Sequence, residues 1–179
     1  ARRILAWFQT RRWGMHRRPH PAYHAFVHVL FWAGGLRPSE AAGLQWQDID
    51  LRRGLLYVRR SFYLRVYDRP KCPGAKRTVH LLPETVRILA ALCPLHVTPE
   101  QPVFTCTTGT PINPASFGDH WHDSLRALGI RVRGLYCTKD TFATEGWRTM
   151  GMDWVSAQTG VDARTLKKHY ALWKPDESG

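Results

Sequence analysis

Acidic residues are scarce in this chain, and scarcest where the basic ones crowd. Of 179 residues, 14 are Asp or Glu against 26 Lys or Arg, a net charge of +12. Residues 1–90 hold 5 acids and 17 bases, and residues 91–179 hold 9 of each. The whole excess therefore lies in the first half, which points to a polyanionic partner, most simply nucleic acid. Cysteine is equally sparse. Cys72, Cys93, Cys106 and Cys137 form no C-x-x-C pair and follow no secretory signal. That argues against a disulfide scaffold and for reduced thiols in the cytoplasm. The most apolar stretch, Ala25 to Leu36, is too short to span a bilayer and contains His28, so no membrane partner is expected.

Motifs for common small-molecule and metal chemistry are also missing. There is no G-x-x-x-x-G-K-[ST], no G-x-S-x-G and no H-E-x-x-H. His24 and His28 have the i, i+4 spacing of two metal ligands, but they lack an acidic partner and a third ligand. They read as flank residues of a core helix. His120 and His122 fall on different faces of a helix. No metal or cofactor is expected.

What is present suits one folded domain over residues 1–179. Hydrophobic residues make up 44%, including eight Trp, and a chain of this length buries roughly 70% of its unfolded surface. The first residues are Ala-Arg-Arg rather than Met, as expected of a piece of a longer protein. Ile4, Leu5 and Phe8 mark a helix over 3–13, followed by the basic linker MHRRPHP. Tyr23, Phe26, Val27, Leu30 and Phe31 follow the i, i+3, i+4, i+7, i+8 pattern of a buried helix face, ended by Gly34-Gly35. Pro38 opens the next helix. LLYVRR, FYLRVY and RTVHL read as a small antiparallel three-stranded sheet over 55–81, its last hairpin turning through Cys72–Ala75. Further helices are expected at PETVRILAAL and near 114–128, 139–150, 153–159 and 163–172, after an irregular connector at 102–113. The fold class is α+β, mainly α-helical, with the sheet inserted early.

Four blocks then stand out: GLRPSE at 35–40, PKCPGAKRTVHL at 70–81, YCTKDTFAT at 136–144, and Gly160-Val161 with Tyr170 nine residues beyond Val161. In that order and spacing the chain resembles the catalytic domain of tyrosine recombinases, the phage-integrase family. The resemblance implies a tyrosine that attacks a DNA phosphodiester, forms a 3′-phosphotyrosyl bond and releases a 5′-hydroxyl, without ATP or metal. A second 5′-hydroxyl then rejoins the strand. Such chemistry needs a nucleophile that can also leave, cations around the developing phosphate charge, and a proton donor for the departing oxygen.

Carried over by position, the resemblance makes Tyr170 the nucleophile, Arg37 the first phosphate-binding arginine and Lys71 the hairpin general acid. Tyr136 falls where the family often has His. Lys139 takes the place of the usual second arginine, and Val161 that of the usual His or Trp. A lysine keeps charge but loses the planar fork of arginine, neighbouring Asp140 dilutes the positive potential, and valine donates no hydrogen bond. Slow or partner-dependent catalysis is therefore expected, with Arg131 or Arg133 as a compensating guanidinium. Glu40 reads as a helix N-terminal acid that also supports Arg37. Arg59, Arg60, Lys76, Arg77, Arg131, Arg133, Lys167 and Lys168 read as contacts to the DNA backbone, which position without reading sequence. The expected partners are a double-stranded attachment site and, in the full-length protein, further copies forming a tetramer on DNA. The core-binding and arm-binding domains typical of such proteins are not in 1–179. A degenerate, DNA-binding domain of the same fold and a type IB topoisomerase-like strand breaker are the rival readings, as is a non-enzymatic basic domain.

Overall fold

The computed structural model describes residues 1–14, 18–68 and 76–170, with the final two in backbone only. Its centre is helix α2 (Pro21–Trp32), which starts on a proline at its first position and ends before Gly34 and Gly35. The apolar face read from the sequence is buried, and so are Ala25, His28 and Val29. α2 is thus wrapped on nearly all sides rather than along one stripe. Helix α1 (Arg2–Thr10) packs Phe8 against Phe117 of helix α5 (Pro114–Ala127). Phe26 meets both Phe117 and Phe104 edge-on. Phe8, Phe26, Phe104 and Trp121 are all fully enclosed, and truncating any one to alanine costs about 3–5 kcal/mol.

Helix α3 (Pro38–Ala42) follows α2 after the two glycines, and helix α4 (Pro83–Leu92) packs on α2 from the other side. His28 bonds Thr85 of α4 through Nε2 at 3.1 Å, so the His24/His28 pair is part of a helix–helix contact. Helices α6 (Cys137–Met150), α7 (Met152–Thr159) and α8 (Ala163–Tyr170) are the last of the described elements. They share a small second core of Ala143, Val155 and Leu166.

Among the described residues seven short strands accompany the helices. β1 (Arg12–Trp13) and β2 (Arg18–Pro19) pair within the stretch read as a helix end and linker. β3 (Ile49–Asp50), β4 (Leu55–Val58) and β7 (Arg77–His80) form the antiparallel three-stranded sheet in the order β3-β4-β7. The register sets Leu56 opposite Val79, both fully buried. The strand count agrees with the sequence reading but the membership differs. FYLRVY is not in this sheet. It forms its own hairpin, β5 (Ser61–Tyr63) with β6 (Val66–Asp68), turning through Leu64 and Arg65 at positive φ. All of β6 is exposed and in β5 only Phe62 is buried, so one side chain rather than a whole face ties this hairpin to the core. Ile49–Asp50 supplies the third strand instead. The turn at Cys72–Ala75 lies outside the described residues.

Candidate active site

Gly34 and Gly35 bring four elements together. Both adopt left-handed φ, +64° and +54°. A Cβ on Gly34 would lie 2.5 Å from a Val79 methyl of β7 and 3.1 Å from the Gln158 carbonyl of α7. One on Gly35 would lie 3.0 Å from both Phe142 of α6 and Thr159 of α7. Only hydrogen fits at such separations with such φ. The end of α2 therefore reaches β7, α6 and α7 at once, and Arg37 emerges two residues later.

Arg37 is the N-cap of α3. Its amide donates to Glu40 Oε2 at 2.9 Å, and its Nη1 donates to Oε1 at 2.8 Å. Glu40, only 5% exposed, also accepts from Nη2 of Arg77 at 3.0 Å. One buried carboxylate thus fixes two guanidinium groups 40 positions apart in sequence numbering (37 and 77). Burial works to raise the Glu40 pKa, but Arg77 and then Arg37 outweigh it and hold the carboxyl below its usual range. Arg77 is tied further: its Nε donates to the Gln158 carbonyl at 2.9 Å, while Gln158 Oε1 accepts from the His80 amide at 3.1 Å.

Lys139 sits in the first turn of α6, 3% exposed. Among the described residues its Nζ has no hydrogen-bond partner. Burial, then the Arg37 charge, pushes its pKa down to about 8, against the opposing pull of Glu40. A buried ammonium without a partner is costly, and an anion beside it would supply the missing acceptors. Tyr136, the N-cap of α6, is half exposed and its hydroxyl approaches the Arg37 guanidinium. Burial works to lower the Arg37 pKa, but Glu40 and Tyr136 carry it above its ordinary value. Arg37, Tyr136, Lys139, Arg133, Thr159 and Val161 all line one open cleft of about 850 Å³. A second, more apolar cleft of about 590 Å³ shares Arg37 and Tyr136 with it and runs between Tyr63, Val66 and Leu135.

The structure therefore gathers Arg37, Tyr136, Lys139 and Arg133, with Glu40 behind them. Arg77, expected on the DNA backbone, instead has a side chain only 6% exposed against Glu40. Charge counting treats every arginine as solvated and misses this. Arg60 and Arg59 converge on fully buried Asp48, Arg59 also stacking on Tyr57 at 4.9 Å. Neither lines the cleft. Arg131 and Lys76 are exposed outside it, and Lys167 and Lys168 are exposed on α8. Lys71 lies outside the described residues. Tyr170 is the last residue of α8, with its side chain outside the described set. Sequence reasoning missed Gln158, whose only signal was a polar residue just before the Thr-Gly end of α7. Among the described residues, no group of His, Cys, Asp and Glu could hold a metal, and no helix is long and apolar enough to cross a membrane.

The family model for the phage integrase family matches residues 2–169. The chain belongs to the phage integrase family. A prophage integrase of Escherichia coli K12, IntR, is 28% identical over 171 residues, covering 79% of this chain and 41% of its own. The chain spans less than half the length of the curated integrase relatives it matches first. The fold is shared with the Tn1549 transposon integrase, solved in complex with transposon right-end DNA, at a TM-score of 0.74 and 15% identity over 93% of this chain and 58% of that one. It is shared too with the catalytic domain of bacteriophage HP1 integrase, at 0.62 and 15% over 98% of this chain and 85% of that one. The expected fold class of a mainly helical recombinase catalytic domain thus agrees with the structure.

Proposed function

We propose that residues 1–179 are the catalytic domain of a site-specific DNA recombinase that cuts and rejoins duplex DNA through a phosphotyrosyl intermediate. The observation that carries this reading is Lys139: a buried ammonium without a hydrogen-bond partner among the described residues, beside Arg37 in an open cleft. A phosphodiester supplies what that site lacks, a compact anion with several acceptors. Arg37 and Lys139 hold the nonbridging oxygens, and Glu40 and Arg77 position Arg37. The Tyr170 hydroxyl attacks phosphorus, and its proton passes to solvent. The bond to the 5′-oxygen breaks as Lys71 donates a proton to it. The phosphodiester energy stays in the tyrosyl ester, so a second 5′-hydroxyl reverses the step without ATP.

Duplex DNA is then the partner, and the complete protein assembles as a tetramer on its attachment site in the cytoplasm of a bacterial host. The charge of residues 1–90 supplies a salt-sensitive grip on the backbone.

The test is a nicked duplex carrying the attachment site, incubated with the protein in EDTA and resolved in SDS. A protein–DNA adduct that disappears in Tyr170→Phe is the expected result. A metal-dependent nuclease would be silenced by EDTA, and failure to bind DNA at low salt would refute the proposal. Lys139 and Val161 in the cleft also favour slow chemistry, because neither offers a fork or an imidazole to phosphate. Lys139→Arg should therefore speed adduct formation, and an unchanged or slower rate would count against that point.

A further inference from the structure

Three basic residues line the larger cleft: Arg37, Arg133 and Lys139. They differ in how much charge each can offer an anion. Arg37 is already committed to Glu40 at 2.8 Å. Lys139 is the one of the three able to lose its proton near neutrality. It faces Arg37 and Glu40 of α3, Arg77 of β7 and Asp140 of its own helix, and its ammonium is half neutralised at about pH 8. Arg133 remains. It is exposed and makes no ion pair with a described residue, and a guanidinium offers a fixed fork of donors.

Its backbone is also held. The indole Nε1 of fully buried Trp121 donates to the Arg133 carbonyl at 2.7 Å, and Leu135, two residues on, is buried. The segment before α6 is therefore anchored on α5 while the Arg133 side chain is left to the cleft. Arg131, two residues earlier, is exposed too but lies outside the cleft. The same cleft is lined by the acids Asp140, Glu145 and Asp162, so an anion there needs cations to outweigh them.

We infer that Arg133 is a phosphate-binding residue of this cleft, supplying with Arg37 the permanent guanidinium charge that Lys139 does not. The inference rests on the recombinase reading above and deepens it. Structure separates Arg133 from Arg131, which sequence could not. The pair of residues then acts as follows. Lys139 holds the anion while it is protonated; as rising pH removes that proton its grip weakens, and Arg133 keeps the phosphate in place.

The experiment measures adduct formation with the nicked duplex from pH 7 to 9.5 in four proteins: parent, Arg133→Gln, Lys139→Arg and the double variant. It also measures binding of the same duplex by the Tyr170→Phe protein with and without Arg133→Gln, so the outcome does not depend on chemistry. Loss of one charge-assisted hydrogen bond predicts about a tenfold fall for Arg133→Gln at pH 7. The fall should steepen by about another tenfold above pH 8, while the parent stays nearly flat. The double variant should lose the steepening, because arginine at 139 does not titrate. A uniform fall with the parent's pH profile would mean a merely structural role and would overturn the proposal. So would an Arg133→Gln protein within twofold of the parent throughout. If the parent forms no adduct, the recombinase reading fails, and the binding arm still decides Arg133 by the same comparison.

Discussion

Replacing Glu40 by Gln tests the carboxylate that joins Arg37 to Arg77 with little change of shape. Glu40 is 5% exposed and the Arg77 side chain 6%, whereas Arg37 is 46% exposed at its side chain. The Arg37 share is screened by solvent and adds little. The Arg77 share is not, because Glu40→Gln leaves a buried guanidinium without its counter-charge. Breaking a buried pair from one side costs about 3–5 kcal/mol. Gln158 still accepts from Arg77 Nε, which favours the lower end, about 3 kcal/mol. Urea unfolding at pH 7 reads this directly: with a slope near 2 kcal/mol/M, the midpoint should fall by about 1.5 M. The sign with pH follows from the lowered Glu40 pKa. The ion pair stabilises fully above the ordinary glutamate range and is lost as pH falls through the depressed folded value, so parent and variant should converge in acid. The double variant Glu40→Met/Arg77→Met removes both charges and should recover most of the loss. A Glu40→Gln protein within 1 kcal/mol of the parent at pH 7 would refute the reasoning.

His28 gives a second pH dependence, in a different window. Burial pushes its pKa down to about 4, so the unfolded chain takes up a proton that the folded one refuses. His28 should contribute a fall in stability of about 2 kcal/mol between pH 7 and pH 5, and His28→Leu should flatten the slope in urea titrations by that share, with His20, His24 and His120, whose pKa values burial also lowers, keeping the rest; an unchanged slope assigns it elsewhere. Gly34→Ala should cost about 2–4 kcal/mol from left-handed backbone strain and overpacking. Thermal unfolding checks this, and Gly34→Ala/Val79→Ala should regain the packing share, since the clash is with the Val79 methyls at 2.5 and 2.6 Å.

Much of the site was legible because its residues have local signatures. Pro38 at the first helical position and Glu40 at the third mark a helix start, so Arg37 before them is fixed as a cap. Gly34-Gly35 could be read as a helix stop, but not as the place where three other elements approach. That requirement is set by Val79, Gln158 and Phe142, far away in sequence. Arg77 failed for the same reason: it lies in a strand among other bases, and its partner Glu40 belongs to another element. FYLRVY reads as a strand from its β-prone residues, but β propensity does not choose a pairing partner. Leu64 and Arg65 turn it back on itself instead. Arg131 and Arg133 look alike in the sequence; the cleft lining, which includes Arg133 and not Arg131, depends on where the segment before α6 is held.

The bonds that converge on Glu40 and Gln158 span 37 and 81 residues of chain. Closing loops of that length is entropically expensive and is repaid only after the intervening elements have packed. The cation cluster therefore depends on the packing of every element that lies between its members. A half-folded chain carries these arginines but not yet the arrangement that Glu40 and Gln158 impose on them.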